Sequence, residues 1–264
     1  MYFLSVIVIG TVYPIFLEVL VDEKISIGPP FFNKLLIPFL IPFLIFMAIG
    51  PNLNWIKGIN KKINYKNLLL FIICLITSYY LSSVSSSKFS LISFLFASSL
   101  YLFFITSRDI IKKKYNFSQT FSHFGFSILV LSILLNSIFS KEFSANMKLG
   151  DQLDFGNERI KLINIQTLKK KNYNTIITNF EILDHEKNIT VFKPEIRIYN
   201  QPNILTSEAD IISSIFRDKF MVVNLIKGKE TFNVRYQSKP FMLWIWFSTI
   251  LISIGGIISL VKRH

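Results

Sequence analysis

The sequence predicts an α-helical polytopic membrane protein with six transmembrane helices and an inserted β-rich extracytoplasmic domain. Three observations lead to this prediction. The chain of 264 residues is 51% hydrophobic and contains 27 Phe, which exceeds the apolar share usual in soluble domains. The apolar residues are collected into six runs, each near the roughly 17–25 residues that a spanning helix requires. One long polar segment, in which apolar and polar residues alternate, separates the last two runs.

The six apolar runs define the membrane part of the chain. The first run has no basic residues before it and no small-residue cleavage site, which favours a span over a signal peptide. The second is short, and we expect Pro38 and Pro42 to break or kink it before Gly50-Pro51 ends it. In chain order the runs are Tyr2–Leu20, Leu35–Gly50, Asn67–Ser83, Phe89–Ser107, Thr120–Phe139 and Phe241–Val261.

Basic residues in the loops orient the six runs. The formal charge of +13 does not indicate nucleic-acid binding, because many basic residues occupy short loops and no recognition motif accompanies them. The positive-inside rule places Met1 and the C-terminus on the cytoplasmic or matrix side and the long polar segment on the other side. The three basic groups are Lys57, Lys61, Lys62 and Lys66, then Arg108 with Lys112, Lys113 and Lys114, and finally Lys262 and Arg263. The basic residues of the intervening loops are only Lys24, Lys34 and Lys88.

The polar segment predicts a small β-rich domain, sandwich-like or a partly open barrel. We expect turns at Leu183–Asn188, Asn200–Asn203 and Lys227–Glu230, and a short helix over Ser207–Phe216 that Ser207 caps. In five stretches apolar and polar residues alternate and β-branched side chains are frequent, as is typical of strands. They are Arg159–Ile165, Asn174–Ile182, Pro194–Tyr199, Phe220–Leu225 and Thr231–Tyr236. The predicted domains are therefore 1–139, a membrane domain of five helices, 140–240, the β-rich domain, and 241–264, the final helix with a short tail.

One histidine and one cysteine lie in apolar runs. His123 is a functional candidate because an ionisable group at membrane depth is costly, although it could instead hydrogen-bond a neighbouring helix near the interface. His185 lies in a polar corner and His264 in the tail, where solvation is the simpler explanation of both. The single cysteine, Cys74, permits neither an intrachain disulfide nor a CxxC site. No nucleophile triad, phosphate loop or acid–base carboxylate pair rises above chance.

Two further features occur near the ends of the runs. Gly28-Pro29-Pro30, followed by Phe31, Phe32 and Asn33, predicts a rigid extended corner, with a free φ at glycine and two fixed ones after it. The three tryptophans, Trp55, Trp244 and Trp246, lie at span ends, where amphipathic rings favour the membrane interface.

An ordered set of motifs resembles a known family. The stretch TVYP, EKISIGPPFFN and PFLIPFLIFMAIGP is followed by SHFGF at Ser122–Phe126, KPEIRIY, LTSEADI, RDKFMV and KPFMLWIW. This set resembles the C-terminal portion of the CcmF family of cytochrome c haem lyases, from about Val8 to the last helix. The tryptophan-rich signature of that family and the histidines before it have no counterpart here. We therefore expect either a fragment or one product of a split gene.

The resemblance implies a role in attaching haem to apocytochrome c. In the family, haem from a haem chaperone joins the CxxCH cysteines on the outer face, while a separate haem b is held by two membrane histidines. The HFGF context implies that His123 is one axial ligand of haem b, with the second ligand in the missing N-terminal portion. Gly125 would let the macrocycle or a neighbouring helix approach, and Arg108 and Lys112–Lys114 could pair with haem propionates.

The same resemblance implies partners and a location. The partners would be the N-terminal portion of the lyase, the haem chaperone, apocytochrome c with its thiol-reducing chaperone, and quinol as a possible electron source. The protein would lie in the bacterial or mitochondrial inner membrane. Its β-rich domain would dock the chaperone or apocytochrome, and this chain alone would form no thioether bond.

Two alternatives stay open. The first is a transport permease, which predicts polar residues at the midplane of several spans. The second is a cofactor-free assembly factor, which predicts that any small polar residue can replace His123.

Overall fold

The computed structural model describes residues 1–22, 24–52, 65–84, 91–112, 116–184, 188–226 and 231–261. The chain forms two compact units. The first comprises residues 1–134 and 245–264, and the second comprises residues 135–244. The first unit consists of helices and the second is built mainly of strands, so that the two kinds of sequence pattern fold separately.

In the described part of the chain, six helices occupy the apolar runs. They are α1 (Tyr2–Val21), α2 (Pro29–Ile49), α3 (Tyr65–Val84), α4 (Leu91–Ile111), α5 (Phe117–Phe139) and α6 (Met242–Val261), and a 3₁₀ turn at Gly50–Asn52 follows α2. Among the described residues, all but α3 are long and apolar enough throughout to cross a membrane, and α3 is apolar over Tyr65–Leu81. The predicted helical apolar segments are therefore confirmed.

The corner at Gly28 differs from the extended shape that the sequence predicted. Gly28 is extended, with φ −101° and ψ −179°, but Pro29 and Pro30 are already the first residues of α2. Proline is favoured there because its fixed φ suits a helix and its missing N–H has no partner to lose at that position. The helix also continues through Pro38 and Pro42 to Ile49.

Helix α4 is the most buried helix of the first unit. It packs against both α2 and α3, and its Ala97, Leu102 and Ile105 have almost no exposed surface. Helix α1 contacts α2 at Gly10, where an added Cβ would lie 2.7 Å from the Phe32 ring. Small residues at such contacts let helix backbones approach closely, which is the main means of helix association in lipid.

Ten strands among the described residues of the second unit form two antiparallel sheets. One sheet has the order β1-β10-β9-β8, and the other has the order β2-β3-β4-β6-β7, with β5 paired to β4. The strands are β1 (Lys141–Met147), β2 (Gln152–Phe155), β3 (Glu158–Lys169), β4 (Tyr173–Asp184), β5 (Ile189–Phe192), β6 (Glu195–Tyr199), β7 (Leu205–Glu208), β8 (Asp210–Ile212), β9 (Arg217–Leu225) and β10 (Phe232–Pro240).

One hydrophobic core joins the inward faces of these strands. Both sheets contribute to it, and the largest wholly buried side chains are Tyr236, Phe180 and Phe192. All five predicted strand stretches lie in strands β3, β4, β6, β9 and β10, and the Asn200–Asn203 turn is present with a cis Gln201–Pro202 bond. Of the other predicted turns, residues 185–187 and 227–230 lie outside the described residues.

The predicted helix at Ser207–Phe216 is wrong. Ser207 lies in β7 opposite Ile196 of β6, and Ile211 lies in β8 opposite Phe220 of β9. This segment therefore forms edge strands in both sheets, because pairing with the neighbouring strands outweighs the local capping pattern.

Candidate functional site

His123 lies near the start of α5 and is half-buried. It lines a recess that the last turns of α2 and α4 and the first turns of α5 enclose. Met47, Ala48 and Ile105 supply apolar lining, while the polar lining comes from Thr106, Asp109, Gln119, Thr120 and His123. The recess therefore brings an imidazole, a carboxylate and a side-chain amide to one end of a helix bundle.

Asp109 is the most unusual group in this recess. Only 6% of it is exposed, and within the described part of the chain its Oδ1 accepts no hydrogen bond. The Arg108 Nε lies 3.6 Å from Oδ1, which is an ion-pair distance but too long for a hydrogen bond. Arg108 instead donates from Nη1 to the Asn67 Oδ1 at 2.8 Å. A buried carboxylate oxygen without a donor is costly, so a proton donor or cation at this point would stabilise it.

The cavity volume of the recess is about 20 Å³. That value is far below the roughly 300–1,000 Å³ of typical small-molecule pockets and is close to the space that one water molecule needs. The described residues alone therefore leave room for about one water molecule, and a large planar ligand would need surface from elsewhere. Within the described residues, no three His, Cys, Asp or Glu side chains gather into a metal site of their own.

Gly125 follows the recess-lining His123 by two residues and is in contact with α6. A Cβ on Gly125 would lie 2.9 Å from the Ile252 Cγ1 and 3.0 Å from the Ser248 carbonyl oxygen. A Cβ on Gly255 of α6 would collide with Ser122, and Ser118 Oγ donates to the Gly255 carbonyl at 2.8 Å. Of the two roles the sequence suggested for Gly125, the structure therefore uses it for the approach of a neighbouring helix.

The remaining predicted site residues do not line the recess. Pro29, Pro30 and the exposed Asn33 begin α2, and Phe32 packs its ring near Gly10. Trp244 and Trp246 lie in the first turns of α6, and Trp246 is largely exposed. Trp55, His185, His264, Lys113 and Lys114 lie outside the described residues.

The β-rich unit contains a buried polar cluster that the sequence did not reveal. The Tyr236 hydroxyl donates to Glu158 Oε2 at 2.7 Å, and Lys219 Nζ lies 2.8 Å from Glu158 Oε1. Burial of the ring, with the bond to Glu158, holds the pKa of Tyr236 well above its usual range. The groups belong to three different strands, so only the folded pairing brings them together. Because its members satisfy one another, the cluster serves the core and not catalysis.

An apolar helix bundle with a β-sandwich inserted before its last helix defines a polytopic membrane protein with one inserted folded domain. The sequence model of the family described as "CcmF C-terminal beta-sandwich" matches residues 138–240. The solved structure "Cytochrome c Heme Lyase CcmF" has the same fold: its TM-score is 0.72 at 19% identity, over 97% of this chain and 43% of that chain.

Curated relatives match almost the whole chain. The cytochrome c-type biogenesis protein CcmF of Pseudomonas fluorescens is 26% identical over 98% of this chain and 42% of that protein. CcmF of Escherichia coli K12 is 26% identical over 97% of this chain and 41% of that protein. The chain thus spans about two fifths of the length of the relatives it matches, and its resemblance to the C-terminal portion of the CcmF family is confirmed.

Proposed function

We propose that this chain acts in cytochrome c maturation, as the part of a haem lyase that supplies one ligand to a membrane haem b. The observation that carries this proposal is the position of His123, which lies half-buried in a recess at one end of the apolar bundle. The relatives' names, which refer to cytochrome c-type biogenesis, support the wider role.

The side chains that line the recess have the chemistry that a haem edge requires. A neutral imidazole nitrogen is a good axial ligand of haem iron, and Met47, Ala48 and Ile105 give the recess an apolar wall. A haem b bound there would supply one-electron redox chemistry. The chain itself would orient the imidazole and keep water from the iron side, and the second ligand would come from the N-terminal portion of the lyase.

Asp109 is our candidate for the residue that orients His123, because both line the same recess. Histidines that bind metals usually donate their other ring N–H to a carboxylate, a carbonyl or water, which fixes the tautomer and the ring plane. Asp109 is a buried carboxylate in the same recess, with an oxygen that lacks a donor among the described residues. Arg108 and Lys112 follow at the same end of α4 and are suitable partners for haem propionates.

The proposed membrane arrangement follows the sequence prediction. Residues 1–139 form the membrane domain with five spans, residues 140–240 form an extracytoplasmic domain, and residues 241–264 form the sixth span and a cytoplasmic tail. The inner membrane is the proposed location, and the chaperone, apocytochrome c with its thiol-reducing chaperone, and quinol are the proposed partners. Gly28, Pro29 and Pro30 would then hold an outer loop at the start of α2.

Several buried hydroxyls of the helices weigh against a transport permease. Ser98, Ser99 and Ser127 each donate to a backbone carbonyl of their own helix, and Ser78 donates to the Ser93 carbonyl of the adjacent helix. Groups satisfied in this way are structural, because a solute pathway needs polar atoms that are free to bind the solute.

The test is a reduced-minus-oxidised visible spectrum of the chain purified with its N-terminal partner. We expect a b-type spectrum in the wild-type complex, its loss or conversion to a high-spin form in His123→Ala, and no change in the control variant His185→Ala. Assembly of each complex is checked by size-exclusion chromatography. An unchanged spectrum in an assembled His123→Ala complex would remove His123 from the mechanism, and a complex without haem would favour a cofactor-free assembly factor.

A further inference from the structure

The corner between β8 and β9 exposes three large apolar side chains. Ile211, Ile215 and Phe216, named here the apolar corner, are 56%, 61% and 62% exposed. Contiguous exposed apolar groups on a folded domain mark contact surfaces. The corner is at the edge of its sheet, because β8 is the last strand in the order β1-β10-β9-β8.

Contacts of Phe216 tie this corner to the first turn of α6. The Phe216 ring is stacked on the Trp244 indole, with ring centroids 6.4 Å apart and planes 25° apart. The Phe216 carbonyl accepts a hydrogen bond of 2.9 Å from the Phe241 N–H. Trp244 is the third residue of a helix whose apolar window has a mean hydropathy of 2.0, and tryptophan at such a position favours the membrane interface.

The end of α5 reaches the same place. Asn136, in the last turn of α5, donates from Nδ2 to the Pro240 carbonyl at 2.6 Å. This bond fixes the end of strand β10, at Pro240, beside the end of α5. Helix α6 begins two residues after Pro240. Phe216 lies beside the first turn of α6, so the apolar corner is at the depth where an apolar helix begins.

We propose that the apolar corner enters the interfacial layer of the bilayer and anchors the β-sandwich to the lipid surface. Ile215 and Phe216 would lie at the boundary between headgroups and acyl chains. The exposed Arg217, the next residue, would lie at the level of the lipid phosphates, an arrangement typical of interfacial anchors. The proposal rests on the membrane embedding of α6 and does not depend on haem binding.

A lipid surface accounts for these observations better than a protein partner. The apolar groups are on a protruding corner, whereas peptide and helix ligands bind grooves or complete sheet edges of several residues. Strand β8 has only three residues, and the aromatic contact of Phe216 continues directly into a membrane helix. The apolar corner is therefore suited to contact with a lipid layer and not to the binding of a peptide or a helix.

The test is nitroxide accessibility in the full chain, reconstituted in nanodiscs of phosphatidylethanolamine and phosphatidylglycerol. A label is attached at Ile215→Cys, at Ile211→Cys, and at the matched control Ile189→Cys, all in a Cys74→Ser background. Ile189 is a strand residue of the same unit, and at 62% it is exposed to the same extent as Ile215. Accessibility is measured to oxygen, which concentrates in lipid, and to a water-soluble nickel chelate.

We expect the ratio of oxygen to nickel accessibility to be several-fold higher at positions 215 and 211 than at 189. A ratio at the corner equal to that at 189 would show that the corner is in water and would overturn the proposal. Exclusion of both reagents from the corner would indicate a protein contact and would overturn it equally. The Ile211→Cys label keeps the test decisive if Ile215→Cys does not fold.

Discussion

At the residue scale, Asp109 shows how a membrane helix can support a chemical site. Its side chain is 6% exposed, yet no donor among the described residues satisfies Oδ1. Its stabilising neighbour among the described residues is the Arg108 guanidinium, whose Nε lies 3.6 Å from Oδ1, too far for a hydrogen bond. If His123 is a haem ligand, we propose that its second ring nitrogen supplies the missing hydrogen bond, because both residues line the same recess.

The Asp109→Asn variant tests this pairing. The amide keeps the shape of the side chain but removes the charge that makes the imidazole more basic. Loss of such a supporting group costs about ten- to a hundredfold in metal affinity. We therefore expect the partner complex to assemble and to lose haem about ten- to a hundredfold more readily in a competition with apomyoglobin. The exposed Asp22→Asn serves as control, and equal haem retention in both variants would contradict the pairing.

Tyr236 leads to a prediction at high pH. The pKa of Tyr236 in the fold is raised above its usual value of 10.0, first by burial and then by the bond to Glu158. Above about pH 10 the unfolded tyrosine loses its proton, whereas the folded one keeps it. The contribution of Tyr236 to the free energy of unfolding is therefore fully present below about pH 10. It falls by about 1.4 kcal/mol for each pH unit above that value.

The Tyr236→Phe variant isolates this effect. It should be less stable at neutral pH by about 1.5–3 kcal/mol, because it loses one hydrogen bond to a charged group. Its stability should fall less steeply than that of the wild type above pH 10. Pulse proteolysis of the β-rich unit in urea, from pH 8 to 11, measures both, and parallel curves for the two proteins would refute the assignment to Tyr236.

At the element scale, the contact between α5 and α6 depends on glycine. A Cβ at Gly255 would collide with Ser122 Oγ and lie 2.8 Å from the Ser122 nitrogen, whereas a Cβ at the neighbouring Gly256 meets nothing within 4 Å. The two positions are adjacent in one helix, so they form a matched pair for mutation.

We expect Gly255→Ala to destabilise the helix bundle by about 1–3 kcal/mol, the usual cost of overpacking a close contact. Gly256→Ala should be neutral or slightly stabilising, because alanine favours a helix by up to about 1 kcal/mol. Thermal unfolding in mild detergent, followed by helical circular dichroism, separates the two. A similar melting temperature for both variants would show that the helices do not pack closely at Gly255.

Sequence patterns predicted helices better than strands, for physical reasons. A run of about twenty apolar residues identifies its own helix, because in lipid the backbone must satisfy its hydrogen bonds within the segment. Strand β1 carries weak alternation and forms only through a distant partner, the last strand β10. Asp109 was overlooked for the same reason, since its burial follows from the meeting of three helices.

At the scale of the whole molecule, the positive-inside rule gives a testable orientation. A membrane-impermeant maleimide should label Ile189→Cys in intact spheroplasts and should label Lys112→Cys only after lysis, both in a Cys74→Ser background. Both residues are exposed, so accessibility depends on the side of the membrane and not on burial. The reverse pattern would invert the proposed topology and would place the β-sandwich in the cytoplasm.

The pairing of β1 with β10 has a consequence for biosynthesis. These strands are the first and last of the β-sandwich, and they are hydrogen-bonded from Lys141 opposite Ser238 to Met147 opposite Phe232. Strand β10 is also the neighbour of β9, so it is the central link of its sheet. Because a ribosome delivers β10 last, the sandwich cannot close until nearly all of it has been synthesised. If the sandwich is extracytoplasmic as proposed, it completes its fold only as the translocation machinery receives α6, which would couple the end of export to the end of folding.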